Sequence, residues 1–133
     1  PYPVLKGIIV AINDSDNLRF YHCRPLGWIS SRFLSLLGKI PQVQKSEWKA
    51  ETINVRLAGI DAPEMGHFGG NPQPFSKEAK QWLTNFTLGK PAEISLHRLD
   101  QYARAVATVK VYRWGGLLGK RNVSLAMAAA GYA

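Results

Sequence analysis

Val55-Arg56-Leu57-Ala58-Gly59-Ile60-Asp61-Ala62-Pro63-Glu64 opens as an alternating strand and closes as a stiff turn. Val55, Leu57 and, past a kink, Ile60 are apolar, while Arg56 falls on the opposite face. Gly59 permits a bulge or a close backbone approach at the strand's end. Pro63 then stops the ladder and biases Ala62 toward an extended conformation. Asp61 and Glu64 are thereby held close together, with the Arg56 guanidinium just upstream. Taken singly, each charge reads as ordinary exposed surface. Together they can hold a hard cation, activate a water and grip a phosphate.

Working outward, Leu5 to Ile12 is a β-rich run with Ile8, Val10 and Ile12 expected on one face. Asn13 to Asn17 is a turn by composition, and Leu18 to His22 resumes as a strand. The pair predicts a hairpin with an acidic tip. Glu51 to Ala58 is a third strand, running into the central stretch. Gly66 to Pro74 is irregular by its glycines and prolines. From Phe75 the period becomes helical, with Phe75, Ala79, Trp82, Leu83 and Phe86 forming a stripe. Pro74 suits the first turn and Gly89 the stop. Ala92 to His97 reads as a strand with Ile94 and Leu96 inward. Asp100 to Ala103 is a turn, and Arg104 to Tyr112 a fifth strand. Trp114 to Lys120 reads as a loop. Asn122 can cap a last helix whose apolar face is Val123, Ala126, Met127 and Ala130.

The order β-β-β-α-β-β-α predicts a mainly β, α+β fold. A five-stranded OB-fold Greek-key barrel with two or three flanking helices fits it, and an open five-stranded α+β sheet fits the same pattern. At 133 residues the expectation is a single domain over 1–133, large enough to bury a core without staples. The segment 24–49 reads as an insert. Its Leu26–Leu37 core is apolar with basic flanks (Arg24, Arg32 and Lys39), so it suits a packed loop or short helix, or a membrane-surface or protein contact.

Cys23 is the single cysteine, which excludes an internal disulfide. Net charge is +8 with a pI near 9.9, which favours a polyanionic partner, nucleic acid before an anionic membrane. Yet Asp14, Asp16, Asp61, Glu64 and Asp100 all lie in or beside the short stretches singled out here. Acids at a polyanion's binding site are useful only if a cation sits between. The chain starts at Pro1 without a methionine and reads as a fragment of a longer protein.

Arg56 to Glu64 closely resembles the central motif of the staphylococcal nuclease (thermonuclease) family. Asp14-Ser15-Asp16-Asn17 resembles its turn after the first strand, and Asp100-Gln101-Tyr102-Ala103-Arg104 the turn before its last strand. The resemblance implies Asp16, Asp61 and the Ala62 carbonyl as metal ligands. It implies Glu64 as general base, Arg56 and Arg104 as the arginines on the scissile phosphate, and Tyr102 and Gln101 as substrate contacts. The cofactor implied is calcium, with magnesium as the alternative. The reaction implied is hydrolysis of DNA and RNA at the 5′ oxygen, leaving 3′ phosphates, with single strands favoured. Ser15 and Ala103 stand where the family has glycine, which predicts strain wherever those turns need positive φ. Gln101 replaces a lysine.

The runs His67-Phe68-Gly69 and Gln73-Pro74-Phe75-Ser76-Lys77-Glu78-Ala79 are similar to those of membrane-anchored, mitochondria-associated fungal endonucleases. That likeness implies a mitochondrial location, with membrane association through a segment absent from this chain. Two other classes remain open on sequence: a catalytically silent nucleic-acid-binding module, and a scaffold subunit of a larger assembly.

Overall fold

The computed structural model describes residues 4–23, 52–59, 75–101, 104–113 and 119–132. The insert at 24–49, with its Leu26–Leu37 core, lies outside them. Strands β1 (Val4–Asp14) and β2 (Asn17–His22) form the expected hairpin. The turn is shorter than composition implied: Asp14 pairs with Asn17, so only Ser15 and Asp16 make the reversal. β3 (Ile53–Leu57) adds to β2, and helix α1 (Ser76–Thr87) leads into β4 (Pro91–Leu99) and β5 (Ala105–Tyr112). A short β6 (Lys120–Asn122) precedes helix α2 (Val123–Ala129).

The sheet order is β3-β2-β1-β4-β5-β6, and β3 also pairs with β5. That pairing is parallel, whereas every other one is antiparallel. It closes five strands into a barrel, which decides between the two architectures left open by pattern alone and leaves the closed strands no free edge. β6 is a sixth strand the sequence did not predict. Its three residues are too few to show alternation, and they extend β5 beyond the closed ring.

The core takes Ile9, Leu18, Phe20, Val55, Leu57, Ile94, Val109 and Val111 from the strands. Ala79 and Leu83 of α1 and Val123 and Met127 of α2 complete it. Ile94 and Leu96 face inward as expected, Leu96 from the core's edge. The face assigned to β1 needs correcting. Ile9 sits in this core with Leu5 and Ile12 against it, while Ile8 and Val10 pack with Cys23, Tyr21 and Tyr112 on the other side. The cause is a register shift between Ile9 and Ala11, where Val10 is the extra residue. One inserted residue reverses the alternation, so Leu5, Ile9 and Ile12 share a side although their spacing is not even.

The helical stripe also loses a member. Phe75 is 70% exposed and caps α1 with a left-handed backbone (φ 66°), which carries its side chain off the helix surface. Ala130 likewise lies beyond the last turn of α2 and is exposed. Asn122 caps as expected, its side-chain oxygen accepting from Leu125 N at 3.1 Å. Gly89 stops α1 in the left-handed region (φ 78°). Gly89 N then donates to Ile9 O at 2.8 Å and Ile9 N to Lys90 O at 3.2 Å, so the helix end is stitched onto β1.

Gly7 lies where β1 packs closely against β2. A Cβ there would overlap the Tyr21 carbonyl oxygen and come 2.8 Å from Phe20 Cζ. The clash is with backbone, so no rotamer change relieves it. Gly7→Ala is therefore expected to cost about 2–3 kcal/mol or more, read as a lower urea midpoint; an unchanged midpoint would mean the strands can part at no cost.

Candidate active site

The site is built where β3 meets its two neighbours. Arg56 pairs with Asn17 at the start of β2 and with Val106 near the start of β5. Val55 and Leu57 are fully buried, so alternation puts Arg56 on the side away from the core. Arg104 is two residues ahead of Val106 and shares that side. Barrel closure therefore brings both arginines to one face of adjacent strands, beside the β1–β2 turn.

That turn is buried although it is polar: Asp14, Ser15, Asp16 and Asn17 are each under 8% exposed. Burial is tolerable because local hydrogen bonds satisfy it. Ser15 N donates to Asp14 Oδ1 at 2.7 Å, and Asn13 Nδ2 to Asn17 Oδ1 at 3.2 Å. Leu57 N donates to the Asp16 carbonyl at 2.9 Å, fastening the turn to β3. The strain expected at Ser15 is absent: among the described non-glycine residues only Phe75 has positive φ. Serine fits this turn without a glycine's freedom.

Asp16 Oδ2 lies 3.7 Å from an Arg56 terminal nitrogen. At that length the two attract through space without a fork-to-carboxylate hydrogen bond. Arg104 is held by direct hydrogen bonds. Its backbone N donates to Asp100 Oδ1 at 2.9 Å, its Nε to Asp100 Oδ2 at 2.8 Å, and Asp100 N donates back to Arg104 O at 2.9 Å. One carboxylate thus closes the turn and aims the guanidinium. Gln101 sits in that turn, exposed. Asp61, Ala62, Glu64, Tyr102 and Ala103 lie outside the described residues.

Among the described residues no cluster of His, Cys, Asp or Glu is arranged to hold a metal. The described acids of the β1–β2 turn, Asp14 and Asp16, offer oxygen donors only. That chemistry suits calcium or magnesium over zinc. Among the described residues the site thus sets the buried carboxylates Asp14 and Asp16 beside two guanidiniums, which are able to neutralise a phosphodiester's charge.

Two supporting residues escaped the sequence reading. Asp100 was seen as an acid near the site but not as the brace of Arg104, although Asp and Arg four apart across a turn is a usable signal. Ser124 gave no signal. Its hydroxyl donates to the Ala58 carbonyl at 2.9 Å, tying α2 to the end of β3 where the chain leaves toward Asp61.

The fold and this arrangement define a small barrel with one face carrying two arginines beside buried acids. Residues 54–133 match the staphylococcal nuclease homologue family, and the chain belongs to that family. It is 44% identical over 129 residues to a Candida dubliniensis protein named "Probable endonuclease LCL3", covering 97% of this chain and 52% of the relative. Proteins of the same name from Uncinocarpus reesii (46% identity, 97% of this chain, 41% of the relative) and Coccidioides posadasii (47%, 92% and 38%) are comparably similar. The chain spans about half the length of these relatives, or less.

Asp100 gives a graded test. Asp100→Ala leaves the Arg104 N–H without its acceptor and frees the guanidinium, and is expected to cost about 1–3 kcal/mol. Asp100→Asn keeps an acceptor for that N–H and should cost less. Equal urea midpoints for the two variants would show that the turn does not depend on this hydrogen bond.

Proposed function

We propose that this domain is a metal-dependent nuclease that hydrolyses phosphodiester bonds in DNA and RNA, with calcium as its cation and magnesium as the alternative. One observation carries the reading: barrel closure sets Arg56 and Arg104 on one face beside the buried Asp16, with Arg104 braced by Asp100. Membership of the nuclease family and relatives named probable endonucleases support the same reading.

The arginines act on the substrate. Each guanidinium presents paired N–H groups to non-bridging phosphate oxygens, where negative charge builds as the bond to phosphorus breaks. A preorganised Arg104 needs no reorientation at that moment. Glu64 accepts the proton of the attacking water. Tyr102 and Gln101 contact neighbouring phosphates, and Asp16, Asp61 and the Ala62 carbonyl would hold the cation. When bound, that ion supplies Lewis-acid stabilisation and favours deprotonation of water. The roles of Asp61, Ala62, Glu64 and Tyr102 rest on the motif match.

Single-stranded substrate is the preferred form in this proposal, since an open phosphate-gripping face tracks an exposed backbone. A mitochondrial location, with membrane attachment through a segment outside this sequence, rests on the similarity of the 67–79 runs. Among the described residues no helix is long and apolar enough to cross a membrane.

Chelation should abolish cleavage of a single-stranded oligonucleotide, and added calcium should restore it. Asp16→Ala should remove calcium-dependent cleavage with the circular dichroism spectrum unchanged. Glu64→Gln keeps the shape and loses the base, so single-turnover cleavage should fall about a hundredfold or more while binding survives. Chelator-resistant cleavage, or a Glu64→Gln variant that loses binding and rate equally, would refute the corresponding assignment. Binding without any turnover in the unmodified protein would identify a silent module instead.

A further inference from the structure

At the other end of the β4–β5 hairpin from Arg104, two cations meet over one aromatic ring, and a third, Arg113, lies just past the end of β5. Lys90 Nζ lies 5.3 Å from the Phe86 ring centroid and the Arg121 guanidinium carbon 5.2 Å from the same point. The two charges are therefore no further apart than the sum of those distances. Strand alternation explains the meeting. Arg121 pairs with the core residue Val111, Arg113 is two residues beyond Val111, and Lys90 is two before the core residue Ala92. Alternation assigns Arg121 to the core's side of the sheet and, carried one residue past the strands, Lys90 and Arg113 as well; Phe86 packs at the core's margin. Trp82 stacks on Phe86 at 4.8 Å, with its ring 10° from parallel, and Tyr132 lies 6.0 Å from Trp82.

This cluster is electrostatically unfavourable as it stands. Burial, then the positive fields of Arg113 and Arg121, hold the Lys90 ammonium below its ordinary pKa. Among the described residues no carboxylate pairs with Lys90, Arg113 or Arg121; Glu93, on β4, is engaged by Lys120 at 3.0 Å and by the Tyr112 hydroxyl at 3.2 Å. Nothing in catalysis uses these groups. An anion placed among them would relieve mutual repulsion and satisfy two guanidinium forks at once.

We propose that Lys90, Arg113 and Arg121 form a second phosphate-binding site, which holds the nucleic-acid backbone remote from the bond that is cleaved. The assignment of nucleic acid as the ligand rests on the nuclease reading above. One feature favours it over a lipid headgroup: the Phe86 ring beneath Lys90 and Arg121 is already packed against Trp82 and so is not free to insert. A groove of about 720 Å³ along α1 carries Lys77 and Lys80 beside Glu78, and it shares Trp82 and Tyr132 with the aromatic stack on Phe86.

From Arg104 to Arg113 the strand advances roughly 25–30 Å and changes face. Only a chain of many nucleotides can reach both sites. The second site therefore adds affinity for long strands and contributes nothing to short ones, raising the retention of a strand between cuts.

The test compares the unmodified protein with Lys90→Gln/Arg113→Gln/Arg121→Gln, and with Arg113→Gln alone. Arg113 is exposed and contacts no ring in the described structure, so that single change leaves packing intact. Binding of a long single-stranded oligonucleotide is measured in chelator across a salt series, beside turnover of a trinucleotide with calcium. The triple variant is expected to bind the long strand about tenfold or more weakly at low salt. Its slope of log K against log salt should shrink by about 0.7 for each phosphate that the protein no longer neutralises. Arg113→Gln should show about one such decrease, and trinucleotide turnover should not change. Unaltered long-strand affinity and slope in both variants would overturn the proposal while leaving the nuclease reading intact. A shared loss of binding to phosphatidylcholine–phosphatidylserine vesicles, with oligonucleotide binding unchanged, would overturn it in favour of a membrane contact. Long-strand binding that depends on the cluster in a protein that never cleaves would support the site and refute the nuclease.

Discussion

The parallel pairing of β3 with β5 is the constraint on which the rest of this structure depends. Val55, Arg56 and Leu57 lie against Ala105, Val106 and Ala107, and Ala58 N donates to the Ala107 carbonyl at 2.8 Å beyond the paired residues. Without it the strands form an open sheet with two bare edges, prone to pair with other chains. With it the apolar sides of five strands enclose one core. The same contact delivers the arginines to neighbouring positions, although they are far apart in sequence. Folding and site assembly are thus one event, and a substitution that loosens the closure damages both.

The two helices fasten the ring from outside. α1 donates Ala79 and Leu83 to the core, and its C-terminal turn is hydrogen-bonded to Ile9. α2 contributes Val123 and Met127, and through Ser124 it grips the carbonyl of Ala58 just past β3. Ser124 therefore stabilises the point where the central motif departs from the strand. The site's precision comes from such attachments, because a charged side chain is placed no better than the backbone carrying it.

Charge follows the same pattern of double roles. Acids are scarce in a chain of net charge +8, and those near the site hold its structure. Asp14 closes a buried turn, and Asp100 both shapes a turn and aims a guanidinium. The Lys90, Arg113 and Arg121 cluster lacks such partners among the described residues, so its repulsion stays uncompensated until an anion arrives.

The sequence by itself determined what is local. Alternation and turn chemistry located every described strand longer than three residues, Asn122 and Gly89 marked helix ends correctly, and the Arg56–Glu64 motif pointed to the family. These features are legible because each depends on neighbours in the chain. Tertiary structure decided the remainder. The Val10 bulge reversed a face that even spacing had assigned wrongly, because only pairing with β2 shows which residue is extra. Phe75 left its stripe because its backbone turned left-handed at the helix start. The bond from Ser124 to Ala58 joins distant parts of the chain, and the meeting of Lys90 and Arg121 over Phe86 brings a helix end to the start of β4 and to β6. No spacing rule encodes either one, since contacts between distant segments exist only once the barrel has closed.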